Sequence, residues 1–185
     1  MKIKKPTKIE LIIFDLDGTL IDLNVNWRDL KTILQNKFNS FELPLVKGIS
    51  KLTLNEKYLA LKIISKFELE NKHHVYTNRI QYIKKLNNVK LGLVTNNTKN
   101  TTKSVLSLLN IYEKFSGIVT LDDVQTGKPE PEGLNYILKK LNVSKTNTIF
   151  LGDKDTDMTA GTLAGIYTIT QKKHLDNFFK SGNIS

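Results

Sequence analysis

Leu11-Ile12-Ile13-Phe14-Asp15-Leu16-Asp17-Gly18-Thr19-Leu20 is the stretch whose reading decides the fold of this chain. An apolar run ends abruptly in two carboxylates, a glycine and a threonine. Ile9 to Phe14 is nearly all apolar and rich in β-branched or aromatic residues, the pattern of a strand buried on both faces. Asp15 then falls where that strand ends, and in open α/β sheets the carboxyl edge is where ligands bind. Asp15 and Asp17 are two residues apart, so in an extended backbone their side chains point to one side. Gly18 lets the chain turn sharply after them. Two acids at a strand tip repel each other unless a cation or a shared proton intervenes. Asp and Gly are also ordinary turn residues, so the rest of the chain must decide what the pair is for.

Outward from this strand, the pattern first turns helical. Asn24 or Asn26 is placed to cap a helix carrying Trp27, Leu30, Ile33, Leu34 and Phe38. Pro44 and Gly48 interrupt the chain. A second helix is expected from about Asn55 to Asn71. No strand is expected between Asp22 and His74, so residues 22–74 read as an all-helical insertion between two parts of a core, 1–21 and 75–185. His73 and His74 read as a solvated pair.

Beyond the insertion, strands and helices alternate. A helix is expected over Thr77 to Leu86 and a strand over Lys90 to Thr95. Thr101 or Thr102 would cap the next helix. Gly117 to Thr120 reads as a short strand, Lys128-Pro129-Glu130-Pro131 as a rigid turn, and Pro131 suits the first turn of a helix. Strands at Thr148 to Leu151 and Ile166 to Ile169 flank a helix from Thr156 to Leu163. A short helix is expected around Leu175 to Phe179. The alternation implies a doubly wound, Rossmann-like parallel sheet with helices on both faces. Asp15, Thr95 and Asp153 each follow a predicted strand, so a parallel sheet gathers them at one edge.

Composition limits the function classes. The chain has 185 residues, 39% hydrophobic and 25% charged, which is globular rather than disordered. Cysteine is absent, which removes disulfides, thiolate metal sites and a cysteine nucleophile. No apolar run approaches the roughly 18 residues that span a bilayer, and the N-terminal apolar run is too short for a signal-peptide core. A cytoplasmic location and no membrane partner are expected. The net charge is +10, but the lysines are scattered, without a basic block or interleaved aromatics. Nucleic acid is therefore not the expected partner; attraction of a small phosphorylated molecule is the better use of the charge.

The chemistry-bearing groups that converge are Asp15, Asp17, Thr95, Lys128, Asp153 and Asp157. Four carboxylates repel strongly in a low-dielectric site. A hard divalent cation with oxygen ligands relieves this, and Mg2+ takes one or two carboxylates, waters and a phosphate oxygen. Lys128 adds positive charge, and the set suits phosphoryl transfer, which demands charge neutralisation and positioning. With no cysteine and no Ser-His pair, a carboxylate is the available nucleophile. Asp153 to Asp157 also resembles the opening of a calcium loop, but Met158 and Ala164 stand where that loop needs Gly and Glu.

In order along the chain, Asp15-Leu16-Asp17-Gly18-Thr19, the strand ending in Thr95-Asn96, Gly127-Lys128-Pro129 and Gly152-Asp153-Lys154-Asp155-Thr156-Asp157 resemble the four motifs of the haloacid dehalogenase superfamily of phosphotransferases. The likeness spans about Ile9 to Ile169, leaving out the insertion. It implies that Asp15 is the nucleophile and that Asp17 protonates the leaving oxygen and then activates water. It implies that Thr95 and the Asn96 N–H bind a phosphoryl oxygen and that Lys128 neutralises charge. Asp15, the Asp17 carbonyl, Asp153 and Asp157 would hold or orient Mg2+. The insertion resembles the family's cap, with Trp27, Arg28 and Lys31 as candidate substrate contacts. Because Asp17 is present, a phosphatase acting on phosphoglycolate or a sugar phosphate is the expected activity, in a monomer or homodimer. A phosphomutase uses the same residues. A receiver-like signalling domain and a non-enzymatic phospho-ligand binder are more distant readings.

Overall fold

The computed structural model describes residues 3–39 and 41–181. Its centre is β1 (Leu11–Phe14), every residue of which is buried. The others in its sheet are β4 (Lys90–Val94), β5 (Gly117–Val119), β6 (Thr148–Leu151) and β7 (Tyr167–Ile169), in the order β5-β4-β1-β6-β7, all parallel. The apolar run that opens the sequence therefore takes the middle of the sheet, where no edge of it meets water.

Alternate residues of β1 feed two cores. Leu11 and Ile13 pack with Phe150, Val94, Leu134 and Ile137 under α6 (Glu132–Leu141) and α7 (Asp155–Ala164). Ile12 and Phe14 pack on the other face with Leu91, Leu93, Ile149 and Leu151. That face is covered by α4 (Thr77–Lys85), α5 (Lys99–Leu108) and α8 (Lys172–Ser181), which contribute Ile83, Leu106 and Phe179. The expected α/β architecture is the observed one.

Between β1 and α4 lie α1 (Trp27–Lys37), α2 (Leu45–Ser50) and α3 (Leu54–Glu70). Asn26, not Asn24, caps α1, its side chain accepting from Asp29 N–H. Leu30, Leu34, Phe38, Phe41, Ile49, Ala60 and Ile64 form a third apolar cluster, joined by Leu121 from the sheet side.

Four expectations need correction. Pro44 and Gly48 do not leave a loop: Pro44 is the N-cap of α2, a position that requires no N–H from it, and Gly48 lies inside the helix. Two short strands flank the helical segment, β2 (Ile21–Asp22) and β3 (His74–Val75), and pair antiparallel with Ile21 opposite Val75. Two residues are too few for strand periodicity to register. Thr98, rather than Thr101 or Thr102, caps α5, accepting from Thr101 N–H, because the helix starts a turn earlier. His73 is half-buried, with Nε2 3.0 Å from the Glu68 carbonyl, while His74 is exposed.

Candidate active site

Three parallel strands deliver the site to one edge. Phe14 pairs with Leu93 on one side and Leu151 on the other. Asp15 is thus level with Val94 and Gly152, and Thr95 and Asp153 lie one residue further out. The ladder continues past the strands: Asp15 N–H donates to Leu151 O (2.8 Å), Thr95 N–H to Val119 O (3.0 Å) and Gly152 N–H to Ile169 O (3.1 Å). The residues at the tip are therefore held by the sheet itself.

Asp15 is 3% exposed and Lys128 5%. Lys128 Nζ lies 2.7 Å from Asp15 Oδ1 and 2.5 Å from Asp157 Oδ1, so one buried ammonium bridges two carboxylates. Asp157 Oδ2 also accepts from the N–H groups of Asp153 (3.1 Å) and Lys154 (3.0 Å). A Cβ on Gly152 would sit 2.4 Å from that carboxylate, so only glycine admits Asp157 here. The Asn96 side chain clamps the backbone of Lys128, donating to Lys128 O (2.8 Å) and accepting from Lys128 N–H (2.9 Å).

Asp17 takes a different environment. Its Oδ1 accepts from Leu23 N–H (2.9 Å), and its Oδ2 lies 3.0 Å from Lys154 Nζ. The turn behind it is closed by Gly18 N–H to Ile21 O (2.7 Å) and Leu20 N–H to Leu16 O (2.9 Å). Gly18 has φ +86°, and a Cβ there would lie 2.2 Å from Asp153 Oδ2, so glycine serves both the turn and the approach of Asp153. Buried Arg79 braces the same turn, donating from Nη1 to Thr19 O (2.6 Å).

Electrostatics follow from burial and partners. Burial pushes the Asp15 carboxyl up to about 6, against the pull of Lys128. Burial works against the charge on Lys128, but Asp15 and Asp157 outweigh it and hold the ammonium above its ordinary value. Burial likewise opposes charge on Lys154, and Asp17 and Asp15 overcome it. Asp153 is raised, chiefly by burial.

Asp15, Asp153 and Asp157 each offer a carboxylate oxygen, and these lie within 4.8 Å of one another. All three are hard oxygen donors, and one side of the cluster already neutralises a cation, so the residues fit a hard divalent ion. The Asp17 carboxylate is not in that cluster, which leaves its carbonyl as the donor expected from it. Asp155 is exposed at the start of α7.

A cavity of about 70 Å³ opens on Asp15, Asp17, Thr95, Lys128, Lys154 and Trp27. It shares Trp27, Asn96, Lys128 and Lys154 with a larger one of about 710 Å³, which runs against Leu45, Val46, Ile64 and Leu121. Asp15, Asp17, Thr95, Asn96 and Lys128 thus line one cavity, Asp153 and Asp157 join Asp15 in the acid cluster, and Trp27 and Lys31 face the larger cavity, whereas Arg28 lines neither. Lys154, Glu68, Asn97 and Arg79 were not anticipated. The available signal for Glu68 was its register: Ala60, Ile64 and Glu68 are four apart and share the buried face of α3.

The family model for haloacid dehalogenase-like hydrolases matches residues 12–170. A pyrophosphatase PpaX from Oceanobacillus iheyensis is 30% identical over 183 residues, covering 86% of this chain and 82% of that one. A pyrophosphatase PpaX from Bacillus thuringiensis is 31% identical, covering 87% and 82%. Among solved structures, a predicted phosphoglycolate phosphatase from Haemophilus somnus superposes with TM-score 0.64 at 23% identity, covering 89% of this chain and 85% of that one. CbbY from Rhodobacter sphaeroides, in complex with phosphate, gives 0.63 at 18%, covering 88% and 86%. These two likenesses concern the fold; the sequence match carries the family, and the chain belongs to the haloacid dehalogenase-like hydrolases.

Proposed function

We propose that the protein is a Mg2+-dependent phosphatase of small organic phosphate monoesters that works through an aspartyl-phosphate on Asp15. The observation that carries this reading is the Asp15 carboxylate, buried at the central strand tip against Lys128, with Asp153, Asp157 and Asp17 around it. An Asp15 oxygen forms a bond to phosphorus as the bond to the leaving alkoxide breaks. Asp17 gives that oxygen its proton, then takes a proton from water, which attacks phosphorus and frees Asp15 and inorganic phosphate. Thr95 and Asn96 N–H bind phosphoryl oxygens, and Lys128 offsets the charge on the nucleophile. Mg2+, held by Asp15, Asp153, Asp157 and the Asp17 carbonyl, would supply further neutralisation of the phosphoryl charge.

Residues 22–74 act as a cap in this reading. Their own apolar cluster and the β2–β3 ribbon where the chain leaves and re-enters the core support that role. The large cavity between cap helices and core supports a leaving group bigger and less polar than phosphate. Pyrophosphate, the substrate named for the PpaX relatives, would leave its apolar wall against water. Monoesters with larger apolar leaving groups head the substrates to test, followed by sugar phosphates and phosphoglycolate.

The test is hydrolysis of p-nitrophenyl phosphate, with Mg2+, with EDTA and with Asp15→Asn, followed by a metabolite panel including pyrophosphate. Turnover that needs Mg2+ and Asp15 is expected, with organic monoesters preferred. Full activity in Asp15→Asn, free of contaminating phosphatase, would sink the mechanism. A preference for pyrophosphate would sink the substrate class.

A further inference from the structure

Glu68 is a fully buried carboxylate far from either end of the catalytic motifs in sequence. It sits near the C-terminal end of α3 and touches none of the acids at the sheet edge. Its Oε1 accepts from Asn97 Nδ2 at 2.7 Å. Its Oε2 accepts from Thr98 N–H at 3.2 Å and from the Thr98 hydroxyl at 2.8 Å. Asn97 in turn holds Thr95 twice. Thr95 Oγ1 donates to Asn97 Oδ1 at 2.7 Å and accepts from Asn97 N–H at 3.2 Å. A continuous chain of hydrogen bonds thus runs from a helix of the inserted segment to the threonine at the strand tip.

We propose that Glu68 is a positioning residue that sets the hydrogen-bond state of the Thr95 hydroxyl through the Asn97 side-chain amide. The proposal rests on the reading of Thr95 as a phosphoryl-oxygen donor.

Donors and acceptors must match along this chain of hydrogen bonds. Glu68 Oε2 faces a backbone N–H, so a nitrogen cannot replace it without two donors meeting. If Glu68 carries a proton, Oε2 is the oxygen with a place for it, against the Thr98 hydroxyl, which can pass its own proton to Thr101 Oγ1 2.9 Å away. Oε1 is therefore an acceptor when Glu68 is ionised and when its proton sits on Oε2. The Asn97 amide must turn its nitrogen toward Oε1, and its oxygen then faces Thr95. The Thr95 proton is committed to Asn97, while Asn97 N–H fixes the position of Oγ1. A phosphoryl oxygen arriving at the site takes over that proton from an oxygen already in place.

A plain structural tie between α3 and α5 is the competing account. Ser65 makes such a tie, with Oγ 3.2 Å from Thr101 Oγ1 and accepting from Asn100 Nδ2 at 2.7 Å. The two accounts differ in the sign of one substitution. In Glu68→Gln, Thr98 N–H holds the side-chain oxygen on its own side, so the amide nitrogen faces Asn97. The Asn97 amide then turns over and gives its nitrogen to Thr95, and the Thr95 proton is freed for a ligand. In Glu68→Ala the Asn97 amide loses its anchor altogether.

The experiment titrates the 185-residue chain with inorganic phosphate in the presence of Mg2+, following the fluorescence of Trp27. This is the sole tryptophan, and it lines the site. Glu68→Gln should bind phosphate about 2- to 10-fold more tightly, the span of one net hydrogen bond, and Glu68→Ala more weakly by a similar factor. Both effects should vanish in a Thr95→Val background, since they act through that hydroxyl. Shifts of the same sign in Gln and Ala, no shift in Gln, or shifts that survive Thr95→Val would overturn the proposal. Should Glu68→Ala fail to melt cooperatively, the sign of the Gln shift and its loss in Thr95→Val decide alone. Absence of both phosphate binding and phosphatase activity in the wild type would instead overturn the functional reading, and this proposal with it.

Discussion

Lys154 Nζ lies 3.0 Å from Asp17 Oδ2, whereas Lys128 Nζ lies 2.7 Å from Asp15 Oδ1. Two carboxylates separated by one residue thus have different ammonium partners. The Lys128 pair is almost wholly buried; the Lys154 side chain is 48% exposed. In the proposed mechanism that difference would separate a shielded nucleophile, Asp15, from an acid–base group, Asp17, whose ammonium partner is half exposed.

Asp17→Asn should retain attack by Asp15 on an aryl phosphate, because p-nitrophenolate leaves without a proton. It should stall the second step, in which water must be deprotonated. Stopped-flow measurement should show a burst of p-nitrophenolate near one equivalent, then turnover reduced by about 10²- to 10⁴-fold. Steady turnover at the wild-type rate would remove Asp17 from the mechanism. Lys154→Met should lower turnover about tenfold, the scale of one hydrogen bond to a charged group, because it removes the ammonium partner of Asp17.

Lys128→Met should cost stability as well as activity. It leaves Asp15 and Asp157 facing each other in the interior without their shared cation, an omission that costs about 3–5 kcal/mol for a buried pair. For a chain of this size that lowers Tm by roughly 10 °C. Thermal melts in EDTA check this, and an unchanged Tm would mean that the carboxylates find another partner.

Gly18→Ala should weaken metal binding. The added methyl meets Asp153 Oδ2 at 2.2 Å in a backbone of φ +86° that alanine adopts poorly. Displacing one ligand or its support typically costs 10- to 100-fold in metal affinity. Calorimetric titration with Mg2+ measures the loss; equal affinity in variant and wild type would place the ion elsewhere.

The stability contributed by Glu68 should depend on pH in a stated direction. Burial raises its carboxyl above the ordinary 4.5, and donors from Asn97, Thr101 and Thr98 only partly pull it back. The folded chain therefore holds this proton more tightly than the unfolded chain. Its contribution is fully present below about pH 4.5 and is lost as pH rises through the folded value. Melting wild type and Glu68→Gln across that range should show the wild type losing ground to the variant as pH increases. Parallel curves would contradict it.

Local pattern carried much of this protein. The apolar run before Asp15 is legible as a buried strand because its residue types exclude water on both faces, and the sheet places it at the centre. The alternation after Thr77 is legible as a parallel sheet for the same reason. Once the sheet is parallel, Asp15, Thr95 and Asp153 must share an edge, since each follows a strand. Short elements escaped: β2 and β3 have two residues each, and α2 begins at a proline that reads as a break.

Partner choice among the gathered groups was decided only by the tertiary structure. Nothing in the order of residues says that Lys154 faces Asp17, that Lys128 bridges Asp15 to Asp157, or that Glu68 reaches Thr95 through Asn97. Periodicity is a property of neighbours along the chain, so sequence alone determined the sheet and the edge at which acids, hydroxyl and ammonium meet. A hydrogen bond depends on distances of a few tenths of an ångström between residues up to 137 apart. Those distances exist only after the strands have paired and the helices have packed.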